Sequence, residues 1–233
     1  MNAIILDTET HKMHGLPIQI SYAPCSCEQG VVRIDEDAIY DQYYSVGVPI
    51  DFGAMAVHHI IEDDLIGKPS YDTFKLPESV EYIVGHNVHF DLAVIAKCGV
   101  EVGHLKPICT LAIARALFPE LAHNLAALTY ALAMFQDDAR KSLKNAHNAL
   151  TDIKLTANLL DKLAHELKKT IRIESLEDLY LYTQSVIIPT YITFGKHKGT
   201  ALNNLPHDYV AWLLKQDDLD QFLRIGLENR KVR

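Results

Sequence analysis

Cysteine is scarce in this sequence, with four residues in a chain of 233. Cys25, Cys27, Cys98 and Cys109 are too few in a chain of this length to form a disulfide framework. They also lack the paired Cys-x2-Cys spacing that is typical of structural zinc sites. We therefore interpret the four side chains as buried or incidental thiols.

Long apolar runs are missing as well. No segment approaches the ~20 consecutive apolar residues needed to span a bilayer, and no basic region followed by an apolar core opens the chain. We expect a cytoplasmic protein with no membrane partner. Hydrophobic residues make up 48% of the chain, which is enough for a substantial core in one large domain or in one domain plus a small module.

Basic residues are fewer than acidic ones, with 22 Lys and Arg against 30 Asp and Glu and a net charge of −8. Proteins that bind nucleic-acid phosphates normally use clustered Lys and Arg, so this balance argues against tight sequence-independent duplex binding. The deficit is uneven, because residues 185–233 contain 7 basic and 5 acidic residues, leaving 15 and 25 for residues 1–184. A site for divalent metal ions must itself be acidic, so the acidic charge balance is compatible with a metal-dependent enzyme that acts on the end of a nucleic-acid chain.

The feature around which the chain is organised is the abrupt end of its first apolar run. Residues 3–6 are apolar and are followed at once by Asp7-Thr8-Glu9-Thr10. This pattern predicts a buried strand whose end opens into a site. Because strand side chains alternate between faces, Asp7 and Glu9 should point the same way and be able to bind one cation. An isolated Asp-x-Glu is also typical of a solvated turn. Only further ligand residues downstream can favour the cation site over the turn.

Two downstream segments supply further ligand types. Asp91 is predicted on the first turns of a helix over 88–97, after a buried strand over 81–84, where open α/β sheets usually place their ligands. His147 is predicted in the loop ahead of a long helix, and Asp152 in the second turn of that helix, which has an apolar stripe at helical spacing.

Asp7, Glu9, Asp91, His147 and Asp152 follow in this order within one domain length, with the last two spaced His-x4-Asp. This set resembles the DEDDh 3′–5′ exonucleases. The resemblance implies an α/β fold, a ribonuclease H-like mixed β-sheet flanked by helices. It also implies hydrolysis of nucleic acid from the 3′ end with release of 5′-mononucleotides.

All five residues would be catalytic according to this resemblance. Four carboxylates are hard oxygen ligands that suit Mg²⁺, or Mn²⁺ in its place, rather than zinc. Two ions per site would be bound, with Asp7 bridging both, Glu9 and Asp152 completing the site of the attacking water, and Asp91 holding the second ion through water. His147 would take the proton from the attacking water, a role that suits histidine because its neutral form is abundant near neutral pH.

Substrate contacts are predicted beside these carboxylates. Residues 52–61 predict a short helix, and the resembling family has a comparable Ala-x-x-x-His segment beside its pocket for the terminal nucleotide. Met55 and His58 are therefore candidates for base contacts, unless they only pack the helix, and Phe90 is predicted either to stack on a base or to pack under its own helix. The candidate substrate contacts are Thr8, Thr10, Met55, His58, Asn87 and Phe90.

Residues 17–23, 31–34 and 40–46 predict strands that form an antiparallel meander beside the catalytic strand. Residues 108–117 and 121–135 carry apolar residues at helical spacing and predict supporting core helices. His11-x2-His14 with Cys25-x-Cys27 does not fit a common zinc site, because the two sulfur atoms are too close together. We interpret the two histidines as loop residues near an acidic cleft that contact substrate.

The last part of the chain has a different composition. Residues 191–199 predict a glycine-framed basic turn after a strand, and residues 205–214 a helix with a proline at its entry. No Gly-Lys-Ser/Thr closes the turn, so it is not a Walker loop. The two segments resemble the small C-terminal module of exodeoxyribonuclease X-like enzymes.

Two roles for this module stay open at the level of sequence. Lys196, His197 and Lys198 on one turn suggest a contact with the nucleic-acid backbone away from the active site. The alternative is a structural cap that buries Trp212 and Leu213 against the nuclease domain.

The sequence therefore predicts an exonuclease domain over 1–168, a connecting segment over 169–189 and a small module over 190–233. The predicted function is a 3′–5′ exodeoxyribonuclease that acts on DNA 3′ ends, in DNA repair or recombination. One alternative is an RNA-end trimming exoribonuclease of the same superfamily. The other is a nucleic-acid-binding module with a vestigial site, against which the five filled catalytic positions argue.

Overall fold

The computed structural model describes residues 2–216 and 219–230. Met1, Asp217, Asp218 and residues 231–233, which belong to the predicted domain ranges, lie outside the described residues. The described strands are β1 (Ala3–Thr10), β2 (Pro17–Glu28), β3 (Val31–Ile34), β4 (Tyr40–Tyr43), β5 (Tyr82–Gly85) and β6 (Lys106–Cys109). The described helices are α1 (Phe52–His58), α2 (Val88–Ala96), α3 (Thr110–Leu117), α4 (Leu125–Ala131), α5 (Gln136–Ser142), α6 (Ala149–Leu167), α7 (Leu176–Val186), α8 (His207–Leu213) and α9 (Gln221–Glu228).

The strands form one mixed sheet of six strands within the described residues, in the order β3-β2-β1-β5-β6, with β4 also paired to β2. The strand β1 lies in the middle, antiparallel to β2 and parallel to β5. It does not end at Leu6, because its pairing with β2 continues through Asp7 and Glu9, which lie opposite Ser21 and Gln19. The first acidic residues are therefore held on a hydrogen-bonded strand rather than on a loop.

The predicted antiparallel meander is wrong in its pairing. The fourth strand β4 pairs with β2 and not with β3. The reason is the length of β2, whose 12 residues pair with β4 along the first part and with β3 along the last part. A second difference is β6, since residues 106–109 pair in parallel with β5 and the helix that was predicted from residue 108 begins only at Thr110. The helix predicted over 121–135 is shorter, because the Asn124 side chain accepts a hydrogen bond from Ala127 N and begins α4 there.

Helices cover both faces of the sheet, and β1 divides its side chains between them. Ala3 and Ile5 pack into a core with α6 and α7, whereas Ile4 and Leu6 pack into a second core with α2. All four side chains are at most 1% exposed. This alternation continues into Asp7-Thr8-Glu9, so the two acids belong to the α6 face and Thr8 to the α2 face.

The C-terminal segments form a small core of their own from α8, α9 and the residues before them, including Ile192, Leu205 and Leu213. Leu213 is 1% exposed within this core, but Trp212 is 52% exposed. The structural-cap alternative is therefore wrong about Trp212, because the apolar face of the short helix α8 is already occupied by the module's own side chains.

The segment 169–189, predicted as a connection, contains α7, whose Leu176 and Leu179 are buried in the core that α6 shares with the sheet. The module also contacts the nuclease part directly, through the ring of Phe222 at 4.6 Å from the ring of His89 on α2. The division of the chain into three ranges stays a prediction.

The predicted thiols are free and buried at all four cysteine positions, which lie within the described residues. Among residues 2–216 and 219–230, no helix combines the length and the apolar character that crossing a membrane would need.

Candidate active site

Three carboxylates from β1 and α6 converge at the end of the central strand. Single oxygen atoms of Asp7, Glu9 and Asp152 lie within 4.8 Å of one another. Asp7 and Glu9 reach this position because they follow Ala3 and Ile5 on the face of β1 that α6 covers. Among the described residues, these three side chains form the group that could hold a metal ion. His11, His14 and the cysteines do not form such a group.

The start of α6 places Asp152 in the first helical turn, one turn earlier than predicted. A residue that the sequence interpretation missed fixes this start. Gln19 on β2 is fully buried, and its Oε1 accepts hydrogen bonds from Ala149 N and Asn148 Nδ2, each at 3.3 Å. Its Nε2 donates to Asp41 Oδ1 at 2.8 Å. The sequence offered one signal for this role of Gln19, which is a polar side chain inside an otherwise apolar strand pattern.

The fourth carboxylate, Asp91, lies on α2 and approaches from the other face of β1. It is 3% exposed, and its Oδ1 accepts a hydrogen bond from the Thr8 hydroxyl at 2.8 Å. The alternation that sends Asp7 and Glu9 towards α6 sends Thr8 towards α2, so the strand supports both halves of the acidic site. Thr8 was predicted as a substrate contact, and the structure places its hydroxyl on Asp91.

The acidic site raises the pKa of each of its four carboxyl groups. Burial, reinforced by the charges of the other site carboxylates, raises the pKa of Glu9 to about 8 and the pKa of Asp7 well above its usual value. Burial also raises the pKa of Asp91 to about 7, although the Thr8 hydrogen bond acts in the opposite direction. For Asp152, burial raises the pKa to about 6, opposed by His147. Buried, mutually repelling oxygen ligands of this kind suit a hard divalent cation, which would relieve the repulsion.

The His147 side chain is exposed at the edge of this cluster. Its backbone has a φ of 63°, in the left-handed region, and its N–H donates to Asp152 Oδ2 at 3.2 Å. The loop ahead of α6 is therefore attached to the carboxylate through the backbone, and the imidazole ring is left open to solvent, as a group that exchanges a proton with water requires.

The other candidate substrate residues lie around the cluster in different environments. Met55 is partly exposed on α1, whereas His58 is 5% exposed with its Nδ1 accepting from Ile60 N at 3.0 Å. Burial lowers the pKa of His58. The Thr10 hydroxyl donates to the backbone oxygen of Lys12 at 2.8 Å. Met55 is therefore accessible, the Thr10 hydroxyl and His58 Nδ1 are engaged by the protein itself, and His58 Nε2 is buried without a hydrogen-bond partner among the described residues.

Asn87 and Phe90 lie on the opposite side, at the start of α2. Asn87 is exposed at the helix N-cap with a φ of 71°, and Phe90 is partly exposed with its ring 5.6 Å from that of His14. The second loop histidine, His11, is 6% exposed, and its Nδ1 accepts from Leu16 N at 2.8 Å. His11 thus closes its own loop, while His14, Asn87 and Phe90 are accessible. Their roles towards a substrate stay predictions.

The raised pKa values of Glu9 and Asp91 predict a falling stability between pH 6.5 and 8 in the metal-free protein. The folded state binds these protons more tightly than the unfolded state, so the free energy of unfolding decreases as the pH rises towards the folded pKa values of about 8 and about 7. Burial lowers the pKa of His86 to about 4. This shift makes the free energy of unfolding rise with pH, but only below about pH 6.5, the usual pKa of histidine, and so outside this interval. We expect a loss of roughly 1–2 kcal/mol over this interval, measured by denaturant unfolding in EDTA.

The control for this measurement is Glu9→Gln, which keeps the shape of the side chain and removes its titration. This variant should flatten the pH dependence and be the more stable protein at pH 8. A wild-type stability that stays constant or rises from pH 6.5 to 8 would contradict the raised pKa values.

Comparisons with known proteins identify the family of this chain. The RNase_T exonuclease family model matches residues 4–160, which contain all five predicted catalytic residues. The DNA polymerase III PolC-type of Clostridium perfringens (strain 13 / Type A) is 27% identical over 166 residues, which cover 65% of this chain. This chain spans only 11% of the length of that relative.

Two solved structures have a similar fold. One is described as Exonuclease X in complex with 5′ overhanging duplex DNA, and it is 26% identical with a TM-score of 0.55 over 76% of this chain and 99% of that one. The other is E. coli Exonuclease I in complex with a dA16 oligonucleotide, 17% identical with a TM-score of 0.55 over 81% of this chain and 46% of that one. The chain therefore belongs to the exonuclease family, as a nuclease of the DEDDh type with a ribonuclease H-like fold.

Proposed function

We propose that this protein is a metal-dependent 3′–5′ exonuclease that hydrolyses DNA from the 3′ end and releases 5′-mononucleotides, with two Mg²⁺ ions that Mn²⁺ can replace. The observation that carries the proposal is the convergence of Asp7, Glu9 and Asp152 within 4.8 Å, with Asp91 held beside them by Thr8. The likeness to Exonuclease X bound to DNA, over 99% of that chain, favours DNA as the substrate. The predicted location in the cytoplasm and the role in DNA repair or recombination are part of the same proposal.

Four carboxylates would hold the divalent ions in this proposal, namely Asp7, Glu9, Asp91 and Asp152. When bound, such ions lower the pKa of a bound water and neutralise the negative charge that develops on the phosphate and the leaving oxygen. The donor set fits this role, because all four side chains offer hard oxygen atoms and burial raises the pKa of each carboxyl group, which a bound cation would counteract.

The chain positions these carboxylates through residues that do not themselves touch the reacting atoms. Thr8 fixes the Asp91 carboxylate by its hydroxyl, and Gln19 fixes the start of α6 and with it Asp152. Such preorganisation matters because a shift of about 1 Å in a catalytic group can reduce a rate by roughly 100-fold.

His147 acts as the general base in this proposal. Its exposed ring lies on a loop whose backbone N–H is bonded to Asp152, and a neutral imidazole there can take the proton of the attacking water. The proton then leaves to bulk solvent, to which the ring is open. The attacking oxygen forms the new bond to phosphorus as the bond from phosphorus to the 3′ oxygen of the remaining strand breaks, and that 3′ oxygen takes up a proton from solvent to become a hydroxyl group.

The direction of hydrolysis is tested with end-blocked substrates. A DNA strand labelled at its 5′ end and blocked at its 3′ terminus should resist digestion, whereas a strand blocked at its 5′ terminus should be shortened one nucleotide at a time to 5′-mononucleotides. Chromatography of the released nucleotides and gel analysis of the remaining strand provide the measurement. Degradation of the 3′-blocked strand with protection of the 5′-blocked one would refute the proposed direction.

An RNA strand of the same sequence belongs in the same experiment. We expect a higher kcat/KM for DNA than for RNA under identical conditions. A preference for RNA would retain the nuclease chemistry and assign the protein to the exoribonuclease alternative. Binding of both strands without hydrolysis of either, in the presence of Mg²⁺ or Mn²⁺, would leave the vestigial-site alternative.

A further inference from the structure

The C-terminal module carries an open aromatic cleft that the nuclease chemistry does not use. Its volume is about 510 Å³, within the range of roughly 300–1,000 Å³ that is usual for small-ligand sites. The cleft lies in the small module, outside the residues 4–160 that the exonuclease family model matches. It is lined by Phe194, Gly195, Lys196, Asp208, Tyr209 and Trp212.

This cleft, called the aromatic cleft below, has one buried aromatic ring and two that are about half exposed. Tyr209 is 9% exposed and forms the inner part, while Trp212 is 52% exposed and Phe194 is 45% exposed. The rings of Tyr209 and Trp212 are stacked, with centroids 5.6 Å apart and an interplanar angle of 26°. Two large aromatic side chains left half exposed beside a buried third one are typical of a binding surface rather than of a core.

A basic turn lies against the Tyr209 ring of the same cleft. Lys196 Nζ lies 5.4 Å from the centroid of the Tyr209 ring, and the ring of His197 lies 4.5 Å from it. The turn approaches Tyr209 this closely because residue 195 is glycine, with a φ of +68°, and a Cβ atom there would lie 2.8 Å from the Tyr209 hydroxyl oxygen. The backbone geometry thus keeps a lysine beside an aromatic face.

We propose that the aromatic cleft binds an unpaired nucleotide of a single-stranded segment, whose base stacks on Trp212 while Lys196 contacts its phosphate. Aromatic side chains that stack on bases beside basic residues that contact the backbone are the combination that recognises single strands without sequence preference. This inference rests on the proposed function for its ligand class, and it goes beyond that function because it gives the enzyme a second binding site for the strand.

The charge of the segment that carries the cleft favours this occupant over an apolar helix of another protein. The segment 185–233 is the part of the chain with more basic than acidic residues, at 7 against 5, whereas residues 1–184 would repel a polyanion. Asp208 also lines the cleft, so phosphate attraction is partly offset there and base stacking has to supply most of the binding. The module that carries the cleft contacts the active-site helix α2 through Phe222 and His89.

The test uses the emission of Trp212, which is the single tryptophan of the chain. The full-length protein is titrated in EDTA with oligothymidylate, with oligouridylate, and with a strand of the same length that lacks bases. Stacking should quench the emission with the base-containing strands and not with the abasic strand. The DNA and RNA arms show which backbone the cleft prefers, and either one supports the proposal.

The fluorescence anisotropy of a labelled strand then measures the affinity of variants, including those that lack the tryptophan. Trp212→Leu should weaken binding by roughly 5- to 100-fold, the range expected for one stacked base. Lys196→Gln should lower the salt slope of log Kd by about 0.7, whereas the matched change Lys215→Gln, on an exposed lysine of the same module, should leave it unchanged.

Several results would overturn the inference. These are equal quenching by the abasic strand, no quenching by any strand, or a Trp212→Leu protein that binds as tightly as the wild type with an unchanged melting temperature. Emission that depends on protein concentration without nucleic acid would assign the cleft to a second copy of the chain instead. Binding in EDTA is separate from hydrolysis, so quenching without nuclease activity would refute only the proposed function, and activity without quenching only this inference.

Discussion

Asp7→Ala should remove detectable nuclease turnover while the protein still folds. Asp7 is the residue common to the proposed ion sites, and its carboxylate lies within 4.8 Å of those of Glu9 and Asp152. Bound divalent ions stabilise a phosphoryl-transfer transition state by several kcal/mol, and about 1.4 kcal/mol corresponds to a factor of ten. We therefore expect kcat to fall by roughly 10³-fold or more, measured by release of mononucleotides from a labelled strand.

Folding should survive this change, because β1 is held by backbone pairing with β2 and β5 and by its buried apolar residues rather than by the Asp7 side chain. Removing one of several repelling carboxylates should even raise the melting temperature in EDTA. The control is Asp137→Asn on α5, whose side chain is 74% exposed and which should retain full activity. An Asp7→Ala protein with more than about a tenth of the wild-type kcat would refute the proposed ligand set.

Removal of divalent ions should abolish the activity of the wild-type protein to the same extent. Without a cation, the site offers four buried carboxyl groups with raised pKa values, namely Asp7, Glu9, Asp91 and Asp152. Such groups neither lower the pKa of the attacking water nor neutralise the phosphate charge, which are the contributions of a bound divalent ion. Dialysis against EDTA should bring mononucleotide release to background. Addition of Mg²⁺ or Mn²⁺ should restore it, whereas monovalent salt at the same ionic strength should not.

A stability measurement separates metal binding from other effects of EDTA. Mg²⁺ or Mn²⁺ should raise the melting temperature of the wild-type protein at pH 8, because a ligand that binds the folded state stabilises it. The increase should be much smaller in Asp7→Ala. Full activity in EDTA would refute the proposed metal dependence, and an equal thermal shift in both proteins would show that the stabilising ion binds elsewhere.

The sequence alone determined the architecture around the central strand. The apolar residues 3–6 and the spacing of Asp7 and Glu9 predict a strand with both acids on one face, because strand side chains alternate wherever the pairing places the strand. The order of Asp91, His147 and Asp152 along the chain predicts the family, and the match of the exonuclease model over residues 4–160 confirms it. The convergence of Asp7, Glu9 and Asp152 and the family could be predicted because each depends on local periodicity or on motif spacing, whereas the catalytic roles of these residues stay predictions.

Pairing and side-chain contacts between distant segments were decided only by the tertiary structure. The sequence did not predict that β4 pairs with β2 or that residues 106–109 form a strand, because short apolar segments fit a strand or a helix equally well until a neighbour pairs with them. The sequence also did not predict the hydrogen bond between Gln19 and Ala149, which are 130 positions apart, or the one between Thr8 and Asp91, which are 83 positions apart.

The exposure of Trp212 is a further property that the tertiary structure decided. A Tyr-Val-Ala-Trp-Leu segment predicts a helix with an apolar side, but the sequence does not indicate which large side chain the core has room for. In the folded module, Leu213 and Val210 fill that room, and Trp212 is left facing the aromatic cleft. Local periodicity fixes which residues share a face of a helix, whereas their burial depends on the volume that the surrounding elements leave free.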